Sequence, residues 1–319
     1  MANWRYYVRL GSLVGLSVNF LGDKLLEPLE EDSPHSKPLW SYADCHAQIL
    51  GPPDTYPPNQ NSDVKIDTYS TKEYAKFRED KNINRTVLVQ PEHYGTDNSC
   101  LLDAISRLNR HPGEEETFQI KGIAKIESNL EDEKLESLAN LGVVGAKFEM
   151  RRGLSGLSWD EADRLAWRIN DFGWTVELYL DGSDIHEVEN KINSWPGWLV
   201  FPHLGQFQRT VTTQQRGFTS LTRLIDRDKA WVKISAPYIV SPNDNLDDQE
   251  VTEIITALVK WAPERLVWGT NWPHLEKGGD GDGAIDEELL ELMNKWVPNE
   301  ANRKLIMCEN ANILYNFTV

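Results

Sequence analysis

The sequence predicts an α/β protein, a single (β/α)8 TIM barrel, because short β-rich runs alternate with longer amphipathic segments from residue 41 onwards. Eight such runs occur, and helical stretches separate most of them, which is typical of a closed parallel sheet with helical crossovers. The length of 319 residues is normal for one barrel of this type. A hydrophobic content of 40% provides enough apolar material for a large core.

The predicted elements form one alternating series along the chain. The strands are Tyr42–Ile49, Thr86–Gln90, Gln119–Lys125, Val143–Met150, Thr175–Leu180, Leu199–His203, Trp231–Ser235 and Arg265–Gly269. The helices are Ser99–Leu108, Asp132–Leu141, Trp159–Phe172, Ile185–Ser194, Phe218–Asp226, Gln249–Trp261 and Glu287–Trp296. Segments 51–58 and 61–80 are predicted to form a long first connection, and a last helix near 299–315 to close the barrel. Residues 1–40 are expected to be an N-terminal extension of the barrel domain, which spans residues 41–319.

The charge and cysteine content limit the partners of the chain. The formal net charge of -17 would repel nucleic acid and anionic membrane surfaces, so neither is expected as a partner. A small molecule, anionic or aromatic, is the expected partner, because a pocket can be locally basic on an acidic protein. The three widely spaced cysteines predict no disulfide framework and favour a reducing compartment, the cytoplasm. The oligomeric state stays open.

Polar residues recur at the C-terminal ends of the predicted strands, where an α/β barrel places its active site. Alternation along strand one puts Asp44, His46 and Gln48 on one face. Cys45 falls on the other face, where it is expected to pack between strand and helix. The groups that converge from the other strands are Lys147, Glu149, Glu177, Tyr179, His203, Lys233, Ser235, Asn271, Trp272 and His274. Any one of them is more often hydrogen-bonded structure than chemistry, but their convergence on one end of the barrel favours a reaction centre.

Several motifs resemble one known family. The segment Asp44–Pro52 resembles the first-strand D-x-H-x-H signature of amidohydrolases with its trailing F-G-P. The match continues through His-Leu-Gly at 203–205, Lys-Ile-Ser at 233–235 and Trp-Gly-Thr-Asn-Trp-Pro-His at 268–274. Together these motifs are similar to the amidohydrolase-related group typified by 2-pyrone-4,6-dicarboxylate lactonase. The resemblance covers most of the chain and implies an amidohydrolase-like TIM barrel.

The resemblance also implies roles for individual residues. In that family, two first-strand histidines and a strand-six histidine surround the reacting carbonyl, and His46 and His203 match two of them. Basic residues and a tyrosine hold substrate carboxylates there, and a strand-eight aspartate activates water. The residues expected to bind substrate are Gln48, Lys147, Tyr179, Lys233, His274 and Trp272.

Two positions depart from the family pattern. Gln48 replaces the second histidine of strand one, and Asn271 replaces the strand-eight aspartate. A glutamine amide is a poor zinc ligand, and an asparagine amide does not accept a proton at neutral pH. No metal or other cofactor is therefore expected, and the lactonase branch is known for working without a divalent metal. If the chain is a hydrolase, Glu149 or Glu177 is expected to replace the missing base.

Three hypotheses about function follow. The chain is a metal-independent hydrolase of lactones or related carboxylated molecules, or its pocket has been repurposed for isomerisation, cyclisation or decarboxylation. In the second case His46, Lys147, Tyr179 and His203 would polarise a carbonyl or enol without activated water. The third hypothesis is a non-catalytic barrel that binds a small ligand. The hydrolase hypothesis requires a carboxylate within hydrogen-bond reach of the reacting carbonyl.

Overall fold

A computed structural model describes residues 40–59, 67–109, 118–154, 156–207, 212–281 and 283–318. Within these ranges, eight strands form one sheet in sequence order. They are β1 (Tyr42–Ala47), β2 (Ile83–Val89), β3 (Gln119–Ala124), β4 (Val143–Glu149), β5 (Thr175–Tyr179), β6 (Leu199–Phe201), β7 (Ala230–Ile234) and β8 (Leu266–Trp268). Residues 1–39 of the predicted N-terminal extension lie outside the described residues.

The sheet closes on itself between β8 and β1. Every neighbouring pair from β1–β2 to β7–β8 is parallel. The chain just after β8 pairs with the end of β1 through a parallel bridge between Ala47 and Trp272. Beside this bridge, the backbone amide of Asn271 donates to the carbonyl oxygen of His46 at 2.7 Å. The predicted (β/α)8 barrel is confirmed, and its closure brings Asn271 next to His46.

The helices surround this barrel. They are α1 (Thr71–Asp80), α2 (Ser99–Leu108), α3 (Asp132–Asn140), α4 (Trp159–Asn170), α5 (Ile185–Ser194), α6 (Arg216–Asp226), α7 (Gln249–Trp261), α8 (Ala284–Trp296), α9 (Glu300–Lys304) and α10 (Asn310–Tyr315). The bounds predicted for α2, α5 and α7 agree with the structure to the residue. Across the described part of the chain, no helix combines the length and the apolar character needed to cross a membrane.

The first connection contains a helix that the sequence analysis missed. α1 begins at a capping box, in which the Ser70 hydroxyl accepts from the Glu73 amide and the Glu73 carboxylate accepts from the Ser70 amide. Its buried face is narrow, with only Tyr74, Phe77 and Arg78 buried, so the helical periodicity of apolar residues is weak. The prediction of one long connection over residues 61–80 therefore omitted the helix at residues 71–80.

The core has two layers, and their arrangement decides which end of the barrel is open. Alternate strand residues such as Phe148 and Leu178 pack between sheet and helices. Inside the barrel, Cys45 of β1 and Val200 of β6 belong to one cluster, which also contains Tyr315 of α10. The carbonyl of Tyr315 accepts from Lys121 Nζ of β3 at 2.7 Å, so α10 covers the N-terminal end of the barrel. The C-terminal ends of the strands are left to form the site.

Candidate active site

A cavity of about 300 Å³ lies at the C-terminal ends of the strands. Five residues predicted for the site line it: His46, Gln48, Lys147, Tyr179 and His203. They come from β1 and the residue that follows it, from β4 and β5, and from the turn after β6, so positions far apart in sequence meet at the C-terminal end of the barrel. The volume is at the lower end of the range of ligand pockets, which favours a small molecule.

Two imidazoles face each other in this cavity. The ring centroids of His46 and His203 lie 4.5 Å apart, and both side chains are buried. Burial, and secondly the positive charge of Lys233, lowers the pKa of both rings, that of His203 to about 3. Both imidazoles are therefore neutral near pH 7. Nδ1 of His203 lies 3.0 Å from Ser235 Oγ, which leaves its Nε2 to meet a ligand.

A β-bulge in β1 turns His46 into the cavity. Asp44 lies opposite Thr86 of β2 and Ala47 lies opposite Leu88, so three steps along β1 match two along β2. Bulges of this kind often lie beside active sites because the extra residue redirects a side chain. The strict alternation expected for strand one is lost at this point.

The bulge corrects two sequence expectations for β1. Cys45 packs inside the barrel rather than between strand and helix. Asp44 does not share the cavity face with His46, because its carboxylate accepts from the hydroxyls of Tyr74 at 2.8 Å and Thr270 at 2.7 Å. These hydrogen bonds of Asp44 therefore link β1 to α1 and to the segment after β8.

A buried ion pair lies beneath His46. The ammonium of Lys233 and the carboxylate of Glu177 are in contact, and both side chains are 0% exposed. Glu177 Oε1 also accepts from the Tyr179 hydroxyl at 2.9 Å and lies 3.6 Å from His46 Nδ1. Neither Lys233 nor Glu177 lines the cavity. Their position corrects the expectation of direct contact with a ligand and gives the pair an electrostatic effect on the histidines.

Glu149, the second glutamate expected to replace the base, also has a charged partner. Arg151 donates to both carboxylate oxygens of Glu149, from Nε at 2.8 Å and from one terminal nitrogen at 2.6 Å. Arg151 lines the cavity with His46, whereas Glu149 does not. The carboxylate of Glu149 is therefore paired with Arg151 and does not line the cavity that holds the histidines.

Lys147 supplies a cation on the cavity wall. Its ammonium lies 4.4 Å from the centre of the Tyr179 ring and 3.0 Å from Glu92 Oε2. Glu92 follows β2 in the 3-10 turn Glu92–Tyr94 and was not identified from the sequence. Although burial opposes it, the charges of Lys147 and Lys125 lower the pKa of Glu92 to about 2. A carboxylate of the chain thus already neutralises the lysine that a ligand anion would meet.

Two residues of the segment after β8 were predicted to contact substrate but do not line the cavity. Trp272 is 0% exposed and packs against Tyr74, with ring centroids 5.1 Å apart, on the helix side of the barrel. His274 is buried between the Tyr238 hydroxyl, 2.9 Å from Nδ1, and Asp286, 3.1 Å from Nε2. We therefore correct Trp272 and His274 from ligand contacts to packing and hydrogen-bonding positions.

Asn271 links this segment to a carboxylate that the sequence analysis missed. Its Nδ2 donates to the Tyr238 hydroxyl at 2.9 Å and to Glu276 Oε2 at 3.0 Å. Glu276 lines the cavity together with the two histidines. It lies in the short 3-10 turn Leu275–Lys277 after β8, where no strand or helix periodicity points to it. Gln206 and His93 line the cavity from other loops and were missed for the same reason.

Backbone strain marks the same end of the barrel. Ten described non-glycine residues have positive φ, and six of them lie within six residues after the end of β6, β7 or β8. These six are His203, Leu204, Gln206, Ala236, Asn271 and His274. Such conformations are costly for L-residues and persist where the surrounding structure enforces them, which is common at functional sites. The strained backbone therefore coincides with the cavity and with the hydrogen bonds behind it.

The comparisons with known proteins agree with this fold. A family model described as amidohydrolase matches residues 43–317, and the chain belongs to this family. An apo crystal structure of an Agrobacterium tumefaciens protein superposes with a TM-score of 0.75 at 24% identity, covering 88% of this chain and 97% of the other. At that identity the superposition supports the fold alone.

Particular relatives carry enzyme names. A 4-sulfomuconolactone hydrolase from Hydrogenophaga intermedia is 27% identical over 85% of this chain and 88% of its own length. A 2-pyrone-4,6-dicarboxylate hydrolase from Comamonas testosteroni is 25% identical over 85% and 89%. A D-galactarolactone isomerase from Agrobacterium fabrum is 27% identical over 77% and 81%. The family and these relatives indicate a hydrolase-type enzyme.

The residues present do not fit a catalytic zinc ion. A solved amidohydrolase from Burkholderia multivorans, 14% identical with a TM-score of 0.66, holds zinc. Within the described ranges of this chain, no group of three or more His, Cys, Asp or Glu side chains could hold a metal. The two positions that depart from the family pattern hold the amides of Gln48 and Asn271, which are poor zinc ligands, whereas catalytic zinc uses three good ligands. We derive no step through a metal.

Proposed function

We propose that this protein hydrolyses the ring C–O bond of a small lactone that carries an anionic group, without a metal ion. The observation that carries the proposal is a pair of neutral imidazoles, His46 and His203, in one cavity with the cation of Lys147. Two relatives are named as hydrolases of a sulfomuconolactone and of a pyrone dicarboxylate, and these names support a lactone C–O bond as the bond that is cleaved.

The groups around the cavity have separate roles that suit the opening of a lactone ring. If the Ser235 hydroxyl donates to Nδ1 of His203, the ring presents an N–H at Nε2, which can stabilise an oxyanion forming at the lactone carbonyl. Lys147 is suited to bind the anionic group of the ligand, with Glu92 displaced from it. Glu92 is half-exposed, so it can turn into solvent when a ligand anion takes its place.

The test is a panel of small lactones, each with and without a carboxylate, incubated with the protein in ¹⁸O-labelled water. Hydrolysis is expected to place one ¹⁸O atom in the product carboxylate, and mass spectrometry detects it. Activity is expected to survive a chelator and to be lost in His203→Ala. If no lactone opens, or if a chelator abolishes opening and zinc restores it, the proposal fails.

Isomerisation of a lactone is the second candidate, and two observations favour it. Asn271 stands where the family has its water-activating aspartate, and one relative at 27% identity is named as a lactone isomerase. The labelled-water experiment separates the two reactions, because an isomerised lactone keeps its mass and gains no ¹⁸O. An unlabelled isomeric product would replace the hydrolase proposal with this one.

A further inference from the structure

We infer that Glu276 is the carboxylate that activates water in this protein, taking the part that an aspartate plays at position 271 in the family. The inference rests on the proposed lactone hydrolysis. It is carried by the position of Glu276, which lines the same cavity as His46 and His203 while its Oε2 accepts from the Asn271 amide. Glu149 and Glu177 do not line that cavity.

The backbone holds Glu276 at this place. It lies in the 3-10 turn Leu275–Lys277, which begins after His274 in a left-handed conformation with φ 59°. The turn is closed by hydrogen bonds from Lys277 N to the His274 carbonyl at 2.8 Å and from Gly278 N to the Leu275 carbonyl at 3.1 Å. Gly278 ends the turn with φ 87°, a conformation that favours glycine. The carboxylate is therefore presented from a defined turn rather than from an open loop.

The hydrogen bonds behind Glu276 fix the orientation of the Asn271 amide. Asn271 Nδ2 uses its two hydrogens on Tyr238 and on Glu276. The Tyr238 hydroxyl, having accepted from Asn271, is left to donate to His274 Nδ1. Nε2 of His274 then donates to Asp286. With the Asn271 amide as the first donor, the series runs in one direction through Tyr238 and His274 to the carboxylate of Asp286, and the second amide hydrogen points to Glu276.

This polarity explains why an asparagine accompanies Glu276. An aspartate at 271 would have no hydrogen for Tyr238 and would put a second carboxylate about 3 Å from Glu276, where like charges cannot both ionise easily. The amide of Asn271 instead donates an N–H to the carboxylate that it contacts. Asn271 and Glu276 therefore form a matched pair in which the base has moved five residues along the chain.

The step balances as follows. Glu276 takes a proton from water while the water oxygen bonds to the lactone carbonyl carbon, and the carbonyl oxygen becomes an oxyanion. The ring C–O bond then breaks, and the ring oxygen receives the proton from Glu276 as it leaves as a hydroxyl. The new carboxylic acid loses its proton to solvent, and Glu276 is again a carboxylate. Asn271 touches no reacting atom and is a positioning residue.

The experiment exchanges the carboxylate and the amide between positions 276 and 271. Glu276→Gln is expected to lower kcat by about 10²–10⁴-fold with little change in KM, because the base is lost and substrate contacts remain. Asn271→Asp alone is expected to lose activity at neutral pH. The double variant Asn271→Asp/Glu276→Gln is expected to recover at least tenfold over Glu276→Gln, since one carboxylate and one amide again face each other.

The controls separate a catalytic from a structural effect. Glu287→Gln makes the same change at an exposed glutamate paired with Lys81, and is expected to keep the wild-type kcat. Circular dichroism and thermal unfolding of every variant check folding. If the wild type opens lactones and Glu276→Gln keeps its kcat, the assignment of Glu276 is overturned while the proposed function stands. If the wild type opens none, the proposed function falls first and the assignment falls with it.

Discussion

Replacing Glu177 by glutamine is expected to destabilise the barrel strongly. Both Glu177 and Lys233 are 0% exposed, so the substitution leaves an ammonium inside the barrel without its counter-charge. Removing one partner of a buried pair typically costs about 3–5 kcal/mol of unfolding free energy. The Tyr179 hydroxyl also loses a charged acceptor at 2.9 Å. Urea unfolding, followed by tryptophan fluorescence, measures the loss.

A double-mutant cycle gives the coupling between the two groups. Lys233→Met alone leaves the Glu177 carboxylate buried, and the double variant Glu177→Gln/Lys233→Met removes both charges. We expect the double variant to be more stable than Glu177→Gln, with a coupling free energy of about 0.5–3 kcal/mol, since contacting residues are rarely additive. Strictly additive losses, or a loss below about 1 kcal/mol for Glu177→Gln, would refute the ion pair as the cause.

Two further predictions concern the cavity. Long-range ¹H–¹⁵N NMR is expected to show the His203 ring neutral at every pH from about 5 to about 8, because burial and Lys233 lower its pKa to about 3; a midpoint near the ordinary 6.5 would contradict this. Glu92→Gln is expected to lower KM for an anionic lactone severalfold without changing kcat, because Lys147 loses its competing carboxylate. Steady-state kinetics against the exposed control Glu127→Gln measure the effect, and an unchanged KM would show that Glu92 does not compete with the ligand.

The sequence by itself determined the barrel and the end of the barrel that carries the site. Apolar periodicity is a local property, with a period of two in strands and 3.6 in helices, and it is visible without knowing which residues meet. The same parity placed Lys147 of β4 on the cavity face. It placed Glu177 of β5 and Lys233 of β7 on the inner face, where the structure pairs them. α1 was missed although its capping box was present in the sequence, because its buried face is narrow.

Only the tertiary structure decided which polar groups face the cavity and which are already paired. The bulge in β1 depends on the register with β2, and the choice of Arg151 as the partner of Glu149 depends on geometry after the strand ends. Glu276 comes from a short turn after β8, and Trp272 turns outward to α1. Register, ion-pair choice and loop conformation arise between segments that are distant in the chain. Periodicity within one segment does not encode them, and they decide which carboxylate stands beside the two histidines.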